Sequence, residues 1–162
     1  MSNGMLDEWA GLSGKVAVIT GGAGGLGRAC TTALARAGMS VAVCDRDPDA
    51  VDAATAILDE MGVASYLEAF DVRDSDALTA FFDVVDERFD ALDVLVTIPG
   101  GGFRKPLIDM TPNGTNAVIN LNFVAVLEAC QHAARRMIAR GTRGSIVNMS
   151  TIEAHRAMPD MG

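Results

Sequence analysis

Apolar and polar positions along this chain alternate between two periods. Val16 to Ile19 is a short continuous apolar run, the signature of a strand buried on both faces. It gives way to the helical spacing Leu26, Ala29, Ala33, Leu34 and Ala37, and Ser40 to Cys44 returns as a second buried strand. Asp47-Pro48 supplies an N-cap and a proline at the first helical position, so a helix is expected to run to about Met61, where Gly62 stops it. Val63 to Phe70 reads as strand three. Asp74 can cap a third helix, whose apolar positions Ala77, Leu78, Phe81, Phe82 and Val85 continue to about Phe89. Leu92 to Val96 is strand four, and a glycine-rich turn follows from Gly100 to Lys105. Thr111-Pro112 then opens a long helix to about Arg140, with Val118, Leu121, Ala125, Ala129 and Met137 facing the sheet. Gly144 precedes strand five, Ser145 to Met149. Five strands alternating with helices imply the α/β class: a doubly wound parallel sheet, with right-handed crossovers and helices on both faces. Ligands of such sheets sit beyond the carboxyl ends of the strands, where the strand order reverses.

The junction after strand one carries the first chemical signal. Residues 21 to 27 hold five glycines, so strand and helix are joined by a loop almost without side chains. Backbone N–H groups in such a loop can approach a pyrophosphate, and the following helix points its positive end at the same anion. The spacing is Thr20-Gly21, three residues, Gly25, one residue, Gly27. A Walker phosphate loop would end in Gly-Lys-Ser/Thr, whereas this helix opens Gly27-Arg28-Ala29. A tight strand-to-helix connection is the bland alternative for the glycines. Asp45 closes strand two, 18 residues after Gly27, near the ~20-residue spacing at which a carboxylate meets an adenosine ribose. A carboxylate there accepts from ribose hydroxyls and repels a 2′-phosphate, which favours NAD over NADP. Arg46 is the contrary sign, since a basic residue at that point can reach a 2′-phosphate. Asp45 could also simply begin the turn before Asp47-Pro48.

Composition narrows the classes. The 162 residues fit one domain, and 49% hydrophobic with 21% charged residues is ordinary for a globular protein. We read residues 1–13 as an N-terminal extension and 14–162 as a dinucleotide-binding domain. A formal charge of −8 argues against nucleic acid and against anionic membranes, both of which need clustered Lys and Arg. Met1 to Ala10 does not resemble a secretory signal, and no continuous apolar run approaches the ~20 residues of a membrane span. Cys30, Cys44 and Cys130 have no metal-ligand or redox spacing and read as small core residues, and His132 and His155 lack a ligand cluster. A cytoplasmic location is the default expectation.

Together these stretches resemble the short-chain dehydrogenase/reductase family. The Thr20–Gly27 spacing is similar to that family's cofactor loop, which implies cofactor contacts from Thr20, Gly21, Gly25, Leu26 and Gly27. Gly24 stands where NADP-using relatives commonly carry Lys or Arg. Asp71-Val72 matches the pair that flanks the adenine ring. Thr97-Ile98-Pro99-Gly100 occupies the place of the family's Asn-Asn-Ala-Gly, so Thr97, Pro99 and Gly100 are implied near the ribose, with only the glycine retained. On the long helix the spacing to Gln131 and Met137 matches Asn122 to the catalytic asparagine, with Asn120 as its neighbour and competitor. Gly144 to Thr151 is close to the fifth-strand motif, and Thr151 falls where the catalytic serine usually stands, one place after Ser150.

What the resemblance implies is a Rossmann fold and hydride transfer between NAD and an alcohol or carbonyl substrate. Thr151 would orient the oxygen and Asn122 would hold a water in the proton path. A homo-oligomer, dimer or tetramer, is implied for a full-length member. The family's acid/base tyrosine, with its lysine four residues on, would stand about two residues past Gly162. Tyr66, the one tyrosine, reads as a packing residue of strand three. The match covers about the first three-fifths of a family member, leaving the sheet incomplete at its C-terminal side. A piece of a longer protein is therefore expected ahead of a genuine truncation. His155 or Arg156 is a suggested substrate contact, a solvated loop the alternative. Two other functions stay open: a non-catalytic NAD-binding module, and an S-adenosylmethionine methyltransferase, which also joins a glycine-rich loop to an acidic residue after strand two.

Overall fold

A computed structural model describes residues 11–156, 158 and 160; most of the expected N-terminal extension lies outside them. Five parallel strands form the sheet: β1 (Val16–Thr20), β2 (Ser40–Asp45), β3 (Ser65–Ala69), β4 (Val94–Thr97) and β5 (Ser145–Asn148). Their order is β3-β2-β1-β4-β5. The chain builds outward from β1 in one direction, then returns to the other side of β1 with β4. The reversal therefore lies between β1 and β4, which is where the glycine loop leaves the sheet.

Side chains alternate across the strands and divide the core in two. Ala17, Ile19, Val41 and Val43 face α1 (Gly25–Arg36) and α2 (Pro48–Glu60), where they meet Ala35, Val51, Ala54 and Leu58. Val18, Ala42, Cys44 and Leu95 face the opposite way, toward α3 (Ser75–Phe89) and the helix that precedes β5. Phe81 and Phe82 of α3 are fully buried there. The caps are those the sequence implies. Asp47 accepts from the Asp49 and Ala50 N–H groups, Asp74 from those of Asp76 and Ala77, and Thr111 from Gly114 N–H.

Several expected boundaries move. β1, β2 and β4 each extend one residue beyond their apolar runs, to Thr20, Asp45 and Thr97, because the ladder continues through polar residues: Ile98 N–H donates to the Thr20 carbonyl at 3.0 Å. β3 is shorter than expected, since Val63 N–H is used on the Leu58 carbonyl to close α2. Leu92 lies outside β4 yet is fully buried, and Asp93 accepts from Val16 N–H at 2.9 Å, pinning the strand's start.

The long helix differs most. It is α4 (Pro112–Ile119) and α5 (Ala125–Arg140), joined by a π-helical turn over Asn120–Val124. A π turn adds one residue and rotates the helix face by roughly 100°. The expected stripe is corrected accordingly: Ala125, Ala129, Ala133 and Met137 are buried against the sheet, whereas Val118 and Leu121 are only half-buried. Pro112–Arg140 is also, by length and composition, a 29-residue helix apolar enough to cross a membrane, with a mean hydropathy of 1.2 over its most apolar window. No such segment was expected from continuous apolar runs. Dispersed alanines and isolated larger residues raise the average without forming a run. β5 forms the sheet edge, and all four of its residues are exposed.

Candidate nucleotide site

At the reversal point, Gly21, Gly24, Asp45, Arg46, Asp71, Val72, Ile98, Pro99, Gly100 and Leu121 enclose an open cleft of about 200 Å³. The loop that forms its floor is folded by close approach. Gly21 has φ +68°, and its N–H and that of Gly22 both donate to the Cys44 carbonyl, at 2.7 and 3.2 Å. A Cβ on Gly27 would stand 1.9 Å from the Gly21 carbonyl oxygen, so helix and loop pack backbone against backbone. Thr31, buried on the same helix, donates its hydroxyl to the Gly22 carbonyl at 2.8 Å. α1 begins at an extended Gly24 without a side-chain cap, and its first turn carries no acidic residue. Its first N–H groups thus have neither a side-chain cap nor an acidic residue in their own turn, which leaves them open to an anion.

Asp45 does two things at once. One carboxylate oxygen accepts from Ala23 N–H at 3.1 Å and the other from Asp47 N–H at 3.3 Å. It therefore fastens the glycine loop to the end of β2 and also begins the turn into α2, while still lining the cleft. Asp71, across the cleft, is ion-paired with Arg73, whose guanidinium holds the Asp71 carboxyl below its usual range. Arg46 adds to this effect through its charge. Beneath the loop, burial pushes the Cys44 thiol far up, so it stays protonated.

The structure places the sequence-expected residues unevenly. Gly21, Asp45, Arg46, Asp71, Val72, Pro99 and Gly100 line the cleft; Thr20, Gly25, Leu26, Gly27 and Thr97 do not. Thr20 and Gly27 are buried supports, and Leu26 is an exposed side chain on the first turn of α1. Thr97 is buried, and its hydroxyl donates to Asn148 Oδ1 at 2.7 Å, tying β4 to β5. The Cys130 thiol donates to the same oxygen at 3.4 Å, bringing α5 into the junction.

Asn122 is separated from Asn120 by its bonds. Its Oδ1 accepts from Gly101 N–H at 3.1 Å, and its Nδ2 donates to the carbonyls of Gly101 at 2.7 Å and Val118 at 2.8 Å. The side chain clamps the loop after β4 onto the π turn. Asn120 contributes its carbonyl, which accepts from Ala125 N–H in that turn. Thr151 is exposed at the end of β5 and opens a short 3₁₀ turn, Ile152–Ala154. His155 and Arg156 follow it, also exposed, and neither lines the cleft. Tyr66 stacks on Phe81 and donates to Glu68, and burial raises its pKa well above the ordinary value; it is a packing residue on β3.

Gly24, Ile98 and Leu121 line the cleft without being among the contacts expected from the sequence, where Gly24 figures only as the place of a relative's Lys or Arg. Ile98 was in view as part of a motif but carried no polar group to draw attention. Leu121 is brought into the cleft from a distant helix, and no local spacing signals that.

A model of the family described as short chain dehydrogenase matches residues 15–162. The chain belongs to the short-chain dehydrogenase family. Among its curated relatives, gluconate 5-dehydrogenase of Gluconobacter oxydans is 31% identical over 148 residues, which cover 91% of this chain and 57% of that protein. Sorbitol dehydrogenase of Cereibacter sphaeroides is 33% identical over 145 residues, 90% of this chain and 56% of that protein. The crystal structure of a short chain dehydrogenase from Bacillus anthracis superposes with a TM-score of 0.86 at 29% identity, covering 93% of this chain and 60% of that one. An NAD+-bound xylitol dehydrogenase gives 0.83 at 27%, with 93% and 58% covered. This short-chain dehydrogenase chain thus spans a little over half the length of the curated relatives it matches, and its five-stranded sheet is the Rossmann fold of those structures.

Proposed function

We propose that this protein is an NAD-dependent oxidoreductase acting on an alcohol or carbonyl substrate. The observation that carries the proposal is the cleft at the β1/β4 reversal, where a side-chain-free loop faces the uncapped start of α1 and a carboxylate closes the neighbouring strand. These residues fit a dinucleotide. The backbone of Gly21 to Gly25 would hold the diphosphate, Asp45 the adenosine ribose, Asp71 and Val72 the adenine, and Pro99 and Gly100 the second ribose. Bound there, NAD would supply the hydride acceptor or donor.

The chain's own residues position the reaction. Asn122 fixes the loop after β4 through both its amide atoms, and Thr97 fixes β5 relative to β4 through Asn148. Thr151, beyond the end of β5, offers a hydroxyl that can donate to a substrate oxygen. Asp45 favours NAD over NADP because its carboxylate would face a 2′-phosphate of the same sign. Its bond to Ala23 N–H adds a second effect, since losing the carboxylate also frees the loop.

Calorimetric titration of the full chain with NAD and with NADPH tests this. NAD should bind more tightly, and Asp45→Asn should weaken NAD at least about tenfold, the loss expected for a charge-assisted hydrogen bond. Tighter NADPH binding would refute the role of Asp45, and binding of neither would refute the function.

A further inference from the structure

A second cavity, of about 240 Å³, lies on the later half of the loop after β4, lined by Phe103, Arg104, Lys105, Met110, Thr111 and Gly114. It is built from this loop and the start of α4 and shares no residue with the nucleotide cleft. We propose that it receives the carboxylate end of the substrate, so that the protein acts on a hydroxy or oxo acid with an apolar body; this rests on the oxidoreductase reading above.

Four observations carry the inference. The first is charge: the chain has 21 acidic and 13 basic residues, yet two neighbouring bases line this cavity with no acid in its wall. Second, like most bases of this chain, Arg104 and Lys105 have no carboxylate partner among the described residues, and Asp109, the nearest acid in sequence, pairs with neither, so both charges are available to a ligand. Third, the space exists because residue 114 is glycine. A Cβ there would stand 3.3 Å from Thr111 Oγ1, 3.6 Å from Met110 Cε and 3.9 Å from Phe103 Cε2, so any larger side chain enters the cavity. Phe103 and Met110 make the remaining wall apolar. Fourth, the loop is anchored at both ends of this stretch: Asn122 holds Gly101, and Lys105 N–H donates at 2.6 Å to the carbonyl of Asp160, in the segment beyond Thr151.

Placement relative to the cleft agrees. Gly100 lines the nucleotide cleft and Phe103 the second cavity, three residues apart and hence no more than about 11 Å between their Cα atoms. A molecule of medium length can therefore reach both. Thr111 Oγ1 accepts from Gly114 N–H, so its hydroxyl can add at most its own O–H to a bound carboxylate. Recognition falls to the guanidinium and ammonium groups, with Arg104 able to take both carboxylate oxygens.

The test is an NMR titration of the full chain, with NAD present, using 3-hydroxyoctanoate and its neutral counterpart 1,3-octanediol. The acid should bind at least tenfold more tightly than the diol and shift the amides of residues 103 to 114. In an Arg104→Gln, Lys105→Gln variant the preference should vanish while NAD affinity stays unchanged. Gly114→Val, which alters no charge, should block both ligands; an unperturbed amide spectrum elsewhere shows that each variant remains folded. Equal binding of acid and diol, no binding of either, or a preference that survives loss of both charges overturns the proposal. Failure of NAD to bind would instead count against the oxidoreductase reading, and acid binding at this cavity would be scored independently of it.

Discussion

Replacing Gly27 by alanine tests how the nucleotide loop is built. The new Cβ would lie 1.9 Å from the Gly21 carbonyl oxygen, 2.8 Å from Gly22 Cα and 2.9 Å from the Gly21 carbonyl carbon. All three are backbone atoms, so no side chain can swing aside. The first contact is roughly 1.5 Å inside ordinary van der Waals separation, and relief requires the loop and α1 to part. Overpacking of this kind costs about 1–3 kcal/mol or more, against a gain of up to about 1 kcal/mol from replacing a helical glycine with alanine. The net expectation is a destabilisation of about 1–2 kcal/mol. For a chain of this size that lowers the thermal midpoint by about 2–8 °C. Displacing the loop also breaks the N–H geometry fixed by the Cys44 carbonyl, so NAD affinity should fall further than stability does. Gly24→Ala is the control for stability: no atom lies within 4 Å of its Cβ, and its φ of −110° suits any residue. Thermal unfolding of the full chain and its two variants, with calorimetric NAD titration, reads both quantities. A Gly27→Ala protein as stable as the parent would refute the backbone-on-backbone packing.

Other outcomes follow from single contacts. Thr97→Val should lose about 0.5–1.5 kcal/mol, because Asn148 Oδ1 forfeits its shorter bond at a part-buried junction, and Thr97→Ser should restore it; chemical denaturation measures both. His132 stacks on Phe82, and burial together with the nearby Arg136 guanidinium holds its pKa below the ordinary 6.5. Arg135 depresses it further, whereas Asp83 and Glu128 oppose the shift. Its unfolded form then binds more protons, so its contribution is fully present above about pH 6.5 and is lost as the pH falls through the lowered folded value. Stability curves between pH 7 and 5 should therefore decline, and His132→Gln should flatten that decline. Arg136 bonds Asp86 at 2.6 Å and Asp83 at 2.7 Å and lies over the Phe82 ring, so Arg136→Met should weaken the α3–α5 contact by about 1 kcal/mol, less at high salt.

The nucleotide site was legible where chemistry follows from local spacing. The glycines of residues 21–27 sit between a buried strand and an amphipathic helix, and that order is enough to place a loop at a strand's carboxyl end. Asp45 was legible as a carboxylate near the ribose position, but its bond to Ala23 N–H was not, because it spans 22 residues and depends on β1 and β2 lying in register. Thr97 was read through its motif as a cofactor neighbour, whereas its hydroxyl is used on Asn148. That partner is 51 residues away, and nothing near Thr97 announces it.

By itself the sequence determined the class of fold, the caps that start its helices and the position of the glycine loop. Those follow from the period of apolar residues and from the conformations that Gly, Pro, Asp and Thr permit, which are properties of a few neighbouring residues. Only the tertiary structure decided the strand order, the rotation of the long helix at Asn120–Val124, the clamp of Asn122 on Gly101 and the meeting of the Phe103–Lys105 loop with the segment beyond Thr151. All but the π turn, which is closed by Ala125 N–H on the Asn120 carbonyl, bring together groups far apart in the chain. Their energy depends on burial and on partners that exist only after the sheet has formed.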